Sequence, residues 1–310
     1  LESGEIVCYN DGEGIIVEKI DGMYIPEMIF GEPMSGSNFG DDDDKISAGM
    51  NGIGAKAANI LSTRFVVETN DIKNKLHYLQ VFEDGNNVKN PPIISKMKAG
   101  GPYTRISFML DYEYFTGEVF TDDMYVVLRQ LIYTRLCFIS VYKGSKYNIY
   151  YNDEPVKVDS LHALARMMIP DDRLIKTTMY KNDNQQDCPI DVVFGGYDCR
   201  KPQPHISFVN GLNPYEGGTH IRFITKLVLD SLTKRLEKKL GGKISITEKL
   251  ISDHIFIFCS MDVKNPEYTN QYKSKLKTPI ARFKGYSMPD SVYSKIWKLL
   301  EDKIDELYFN

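Results

Sequence analysis

The densest chemical signal in the sequence is Gly49-Met50-Asn51-Gly52-Ile53-Gly54-Ala55-Lys56, which runs into a segment patterned as a helix. Three glycines permit close backbone approach, and a helix start adds unpaired amides and the positive end of its dipole. That combination suits an anion such as phosphate, with Lys56 in the first helical turn; the same composition also serves a flexible hinge. The segment is not a Walker A loop, because the spacing differs and Ala57 stands where Ser or Thr would hold magnesium. Nor is it a dinucleotide fingerprint, since the glycines do not fit GxGxxG and no strand leads directly into them. A second candidate is Asn10-Asp11-Gly12-Glu13-Gly14. A turn-bound carboxylate followed by two glycines can accept a hydrogen bond from an exocyclic amine, although Asn-Asp-Gly taken alone is also an ordinary turn.

Positioning these groups falls to elements legible from pattern. Ile6-Val7-Cys8-Tyr9 reads as a strand, and Ile15-Ile16-Val17 resumes the apolar pattern after the turn. Gly31 to Gly54 reads as one long loop, of the kind that is usually functional or mobile. A helix is expected over Ala55 to Ser62. Strands are expected at 65–69, 76–82 and 104–108, and a long helix from Asp123 to Ile139 with Val126, Leu128, Ile132 and Leu136 inward. A boundary near Pro170-Asp171-Asp172 divides the chain into 1–172 and 173–310. Beyond it, strands are expected around 191–194 and 205–210. A helix capped by Thr219 runs to about Leu240 and stops at Gly241-Gly242, and 252–261 reads as another strand. The tail carries Val292, Ile296, Leu299, Leu300, Ile304 and Leu307 on one stripe after Pro289 and Asp290, the pattern of an amphipathic helix. The fold class is α+β in two units.

The composition excludes several classes. Hydrophobic residues at 42% and charged residues at 26% are the balance of a globular chain. No apolar run approaches the roughly 20 residues of a membrane span. The start, Leu1-Glu2-Ser3-Gly4-Glu5, does not read as a signal peptide and lacks an initiator Met, as expected of a fragment or of a chain whose beginning was not captured. Cys8, Cys137, Cys188, Cys199 and Cys259 are odd in number and form no CxxC pair, which argues against a zinc site or disulfide framework. A net charge of −4 gives no global nucleic-acid signature, so any contact with DNA must come from a local patch.

Together, the DxGxG turn and the glycine-rich loop before a helix resemble the Bergerat-type ATPases, a group that includes gyrase, one class of heat-shock chaperone, histidine kinases and mismatch-repair ATPases. The stretch from Gly31 to Thr69 is similar specifically to the ATPase of type IIA DNA topoisomerases of the eukaryotic or large-DNA-virus kind. It contains Ser37-Asn38-Phe39, the acidic run Asp41 to Asp44, Asn51 to Lys56, and Asn59-Ile60-Leu61-Ser62-Thr63. Farther on, Ile206 to Asn210 with Gly217-Gly218-Thr219-His220 resembles the opening of that family's transducer domain. Asn265-Pro266-Glu267-Tyr268 leading to Gln271-Tyr272-Lys273 resembles its γ-phosphate loop, which by itself is an ordinary polar loop.

The resemblance implies a Bergerat-type ATPase sandwich (a mixed β-sheet with helices on one face) followed by an α/β transducer domain with a C-terminal exit helix. It implies an ATP site of Asp11, Gly12, Gly14, Ser37, Asn38, Gly49, Asn51, Gly52, Ile53, Gly54, Ala55, Lys56 and Thr104. Asp11 would read the adenine amine, Ser37 and Asn38 would touch ribose and phosphate, and Gln271 and Lys273 would reach the γ-phosphate. ATP and Mg2+ are the implied cofactors, with no metal ligand assigned in this chain. Double-stranded DNA and a second copy are the implied partners, with no membrane, in a nucleus or a cytoplasmic viral factory.

The cations Lys234, Arg235, Lys238, Lys239 and Lys243 near a helix end either complement its dipole or line a cavity for a captured duplex. The acidic run Asp41 to Asp44 reads as a solvated stretch whose repulsion keeps the loop extended. Met50 stands where a basic residue is common, and Tyr272 where Thr is usual. The family's catalytic glutamate and magnesium-holding asparagine precede the DxGxG turn, so the chain alone is expected to hydrolyse ATP poorly. The DNA-cleaving tyrosine and its acidic metal cluster belong to a later part of the family's chain. Other readings are a different Bergerat-fold ATPase, such as a mismatch-repair protein, and a non-catalytic nucleotide-binding dimerisation module.

Overall fold

The computed structural model describes residues 4–32, 52–117, 120–143, 147–181, 188–196, 205–242 and 246–308. Among the expectations above, those at Ser37, Asn38, Asp41 to Asp44, Gly49, Met50, Asn51, Cys199 and Lys243 lie outside them. The chain falls into two compact units, the first ending at Leu131 and the second beginning at Ile132.

In the first unit the order is β1 (Ile6–Asn10), β2 (Lys19–Ile20), β3 (Met23–Tyr24), α1 (Ile25–Gly31), α2 (Gly54–Ile60), β4 (Ser62–Asp71), β5 (Leu76–Glu83), β6 (Val88–Lys89), β7 (Ile93–Lys96), β8 (Tyr103–Leu110) and α3 (Tyr112–Thr116). One sheet runs β1-β8-β4-β5-β6 with β7 also on β5, and every pairing in it is antiparallel. Alternation along β4 points Phe65 and Val67 to one face, where they pack with Phe30, Tyr78, Phe82 and Val17. Asn59 of α2, fully buried, donates to the Phe30 carbonyl at 3.1 Å, and Asn86 donates to the Gly31 carbonyl at 2.9 Å. These bonds fix where α1 ends.

Helix α4 (Asp122–Lys143) follows, then β9 (Tyr150–Tyr151), β10 (Glu154–Pro155), α5 (Leu161–Arg166), β11 (Leu174–Lys181), β12 (Ile190–Gly196), β13 (His205–Val209), α6 (Thr219–Leu240), α7 (Glu248–His254), β14 (Ile255–Met261), β15 (Tyr286–Ser287) and α8 (Asp290–Tyr308). The second sheet runs β13-β14-β12-β11-β15, parallel only between β13 and β14. Ile224, Val228, Leu232 and Leu236 of α6 and Ile296, Leu300 and Ile304 of α8 cover one face with Val192, Phe194 and Ile257. Cys137, Phe138 and Val141 of α4 and Leu161 and Leu164 of α5 cover the other, against Val193, Phe208 and Phe258. This second core is why the units divide inside α4 and not near Asp172.

Several expectations differ from the structure. Residues 14–18 form no strand; side chains hold them, as described below. Residues 252–254 complete α7, whose start is capped by the Thr247 hydroxyl accepting from Leu250 N. Thr219 does not cap α6: Gly218 is the N-cap residue, with no side-chain cap bond. Val126 is 50% exposed and not inward. One helix, Asp122–Tyr142, is long and apolar enough to cross a membrane by length and composition, contrary to the sequence reading. Arg129 and Arg135 break up its apolar run in the sequence, and its last turns are buried in the second core.

Candidate functional site

The Asn10–Gly14 turn leaves β1 where Asn10 pairs with Thr104 of β8. The Asn10 side chain accepts from Gly12 N at 3.2 Å, so the turn is closed by its own first residue. Asp11 is exposed and its carboxylate has no hydrogen-bond or ion-pair partner among the described residues. The chain then enters a clamp. Gly14 has φ +78°, and a Cβ there would lie 1.9 Å from the Asn70 carbonyl oxygen. Ile15 N donates to Thr69 Oγ1 at 2.9 Å, and Thr69 Oγ1 donates to the Tyr103 carbonyl at 2.7 Å. Thr69 and Thr104 hydroxyls are 3.3 Å apart. Val17 N donates to Asp71 Oδ2 at 2.7 Å.

Thr69 and Asp71 therefore hold the segment after the turn from the end of β4, a role the sequence reading missed. Asn70, fully buried, also donates to the carbonyls of Lys98 and Gly101 and accepts from Lys98 N. Burial would raise the Asp71 pKa. Hydrogen bonds from Val17, Asn74 and Lys73 outweigh that and hold its carboxyl below the usual range. On the opposite face of β4, Glu68 Oε1 accepts from Lys98 at 2.8 Å and Tyr103 at 2.9 Å, and contacts His77 Nε2 at 3.0 Å. Burial would raise Glu68 as well, but these partners bring it down to about 2. Burial and the Glu68 carboxylate push the Tyr103 hydroxyl up to about 12.

At α2, the first helical hydrogen bond runs from Ala57 N to the Ile53 carbonyl, and no side chain among the described residues caps the start. The amides of Gly54, Ala55 and Lys56 thus have no intrahelical acceptor. Gly52 sits at φ +59°. Lys56 is 4% exposed, and burial depresses its pKa while Glu32 opposes the shift. A buried cation at an uncapped helix start suits an anion. The structure brings Asp11, Gly12, Gly14 and Thr104 together, and places Gly52 to Lys56 at the start of α2, whose Ala58 packs on the core of the same unit.

Gln271 and Lys273 belong to the second unit, at the tip of a closed loop. Lys277 N and Thr278 N donate to the Glu267 carbonyl, and Thr269 N donates to the Lys275 carbonyl. Lys273 N donates to the Asn270 carbonyl, while the Asn270 side chain accepts from Ser274 N and donates to Ser274 Oγ. Lys273 takes φ +56°, an uncommon conformation for lysine, and burial lowers its pKa. Tyr272 beside it is 87% exposed. The loop is laddered onto the turn before α6: Glu216 N donates to Ser274 O, Leu276 N to Gly217 O and Thr219 N to Leu276 O. Lys273, Arg135 of α4 and Asn213 line a cavity of about 300 Å³.

Lys234, Arg235, Lys238 and Lys239 are all exposed on α6. Arg235 and Lys239 lie over the Trp297 ring of α8, at 4.9 and 5.6 Å from its centroid, and Arg235 donates to Ser294 Oγ at 3.3 Å. Half of this basic row therefore also packs α6 on α8. No cluster of three or more His, Cys, Asp or Glu suited to a metal ion occurs among the described residues.

The family model described as DNA gyrase B matches residues 151–307, just over half of the chain. DNA topoisomerase 2 of Meyerozyma guilliermondii is 33% identical over 98% of this chain. This chain spans 22% of the length of that relative. The crystal structure of the ATPase region of Saccharomyces cerevisiae topoisomerase II superposes with a TM-score of 0.85 at 29% identity, covering 99% of this chain and 77% of that one. The same region bound to dexrazoxane gives 0.83 at 30% identity, covering 98% and 77%.

Proposed function

The chain belongs to the ATPase region of the type IIA DNA topoisomerases, and from that premise we propose that it is the ATP-operated gate of such an enzyme. Asp11, without a partner among the described residues, accepts from the adenine amine, and Thr104 lies beside the turn through Thr69. The open amides of α2 with Lys56 take phosphate oxygens, together with Ser37, Asn38, Gly49 and Asn51. Lys273 and Gln271 act on the γ-phosphate, where an ammonium stabilises charge that develops during phosphoryl transfer. Mg2+ would be held by the nucleotide phosphates and water, with the family's upstream asparagine, and would neutralise charge on the phosphates.

ATP favours a closed state in which two copies clasp, because its contacts differ between open and closed states. Closure captures a DNA duplex, whose phosphates the α6 cations meet without reading bases. The intact protein cuts one duplex, passes the captured one through and reseals it. It works inside the cell, of the nuclear kind, with the last turns of α4 packed in the second core.

The observation that carries this reading is the Asp11 carboxylate, without a partner among the described residues, on a turn whose following segment is anchored by Thr69 and Asp71. ATP-dependent relaxation of supercoiled DNA by the intact protein tests it. Relaxation that needs no ATP, or none at all with ATP hydrolysis intact, would overturn it.

A further inference from the structure

Around the first turn of α6, four side chains hold shielded polar atoms with no hydrogen-bond partner among the described residues. They are the Ser207 and Thr219 hydroxyls, both ring nitrogens of His220, and the Tyr268 hydroxyl. Ser207 is 0% and His220 1% exposed. The four converge. Thr219 and His220 open α6. Ser207 shares its face of β13 with Val209, which packs in the same core as Ile224 of α6. Tyr268 pairs with Leu276, and Leu276 pairs with Gly218 immediately before the helix. His205, on the same face of β13, stands against Gly217, where an added Cβ would come within 2.3 Å of its ring. Burial, with His205 alongside, holds His220 at about 3, so its imidazole is neutral.

A neutral imidazole needs one acceptor and one donor, and each hydroxyl can use both. Buried polar atoms are satisfied in nearly every native fold, so five left dry in one place would be exceptional. Water is small enough to reach such a pocket and can donate and accept in several directions at once. We propose that these polar atoms enclose a site for internal water, and that the water ties the Lys273-bearing loop to the start of α6. Backbone bonds join the loop to Gly217 and Thr219; bridged side chains beneath add a second attachment through Tyr268. His220 and Tyr268 are then positioning residues for Lys273. The positioning half rests on the reading of Lys273 given above, whereas the water site does not.

Tyr268→Phe and Ser207→Ala each delete one polar atom with little change in volume, so the sign of their effect separates the cases. In a dry pocket, deletion removes an unsatisfied group and raises Tm. In a watered pocket, deletion strips a partner from a bound water, and each variant lowers Tm by about 2–4 °C. A high-resolution crystal structure should place water within about 3.2 Å of the Tyr268 hydroxyl. A raised or unchanged Tm in both variants, or an empty pocket in the crystal, overturns the water site. In the intact protein, Tyr268→Phe should lower kcat for ATP hydrolysis several-fold with KM little changed. A normal kcat in that variant overturns the positioning half. If Lys273→Ala also leaves hydrolysis unchanged while the water is seen, it is the role of Lys273 that fails and the water site stands.

Discussion

Asp71 Oδ2 accepts a 2.7 Å hydrogen bond from the backbone amide of Val17, across 54 residues of sequence. Its other oxygen accepts from Lys73 N at 2.8 Å and Asn74 N at 3.3 Å, so one buried carboxylate joins the segment after the Asp11 turn to the β4–β5 connection. Removing it by Asp71→Ala should cost about 1.5–3 kcal/mol, the range for hydrogen bonds to a charged group. Nucleotide affinity should fall with it, because Gly14 to Val17 would lose its anchor. Denaturant unfolding and titration with an ATP analogue check this pair of effects; an unchanged affinity would show that the clamp does not position the turn.

Gly14→Ala should be worse than Gly12→Ala. At Gly14 a Cβ would lie 1.9 Å from rigid backbone at φ +78°, whereas at Gly12 it meets only the Asn10 side chain at 3.1 Å. The first variant should lose about 1–3 kcal/mol or fail to fold, and the second should keep near wild-type Tm. Thermal melts of both variants side by side test the ordering.

The Glu68 carboxyl titrates at about 2 in the fold, against about 4.3 in an unfolded chain. A depressed folded pKa contributes stability that is complete above the unfolded value and is lost as pH falls through the folded one. Stability of the first unit should therefore decline between about pH 4.5 and pH 2, by on the order of 3 kcal/mol from this group. Glu68→Gln should flatten that part of the curve. An acid profile identical to wild type would contradict the network with Lys98, His77 and Tyr103.

Lys234 and Lys238 are expected to serve DNA, whereas Arg235 also serves packing. Charge reversal at Lys234 and Lys238 should weaken duplex binding and reduce the salt slope by about 1 for each phosphate that is no longer neutralised. Arg235→Ala should in addition lower stability by about 0.5–1 kcal/mol through Trp297. Binding measured over a salt series, with a melt of each variant, separates the two roles.

Much of the framework was legible because its spacing is regular. The stripe Val292, Ile296, Leu300 and Ile304 is the buried face of α8, and α6 runs from Thr219 to Leu240 near the residues its pattern suggested. The reading failed at 252–261, expected as one strand: Ser252, Asp253 and His254 finish a helix, and the apolar strand begins only at Ile255. The signal that could have divided it was Thr247 followed by Glu248, an N-cap and first-turn acid. Pro26, at the start of α1, was a similar unused signal in a segment to which no element had been assigned.

Asp11 and the glycines of the turn were visible as chemistry. Thr69, Asn70 and Asp71 were not, because polar residues at the end of an apolar strand look like its termination. Their partners Ile15, Val17 and Gly101 are set by tertiary contacts that no local pattern encodes.

The most direct test of the account is calorimetric titration of the intact protein with a non-hydrolysable ATP analogue, comparing wild type with Asp11→Ala. Asp11 is exposed and makes no protein contact among the described residues, so the substitution should leave Tm unchanged. The account predicts that affinity drops by about 10–100-fold, the worth of a hydrogen bond to a charged acceptor. An affinity equal to wild type would mean that the turn does not read adenine, and the assignment of the nucleotide site would be wrong.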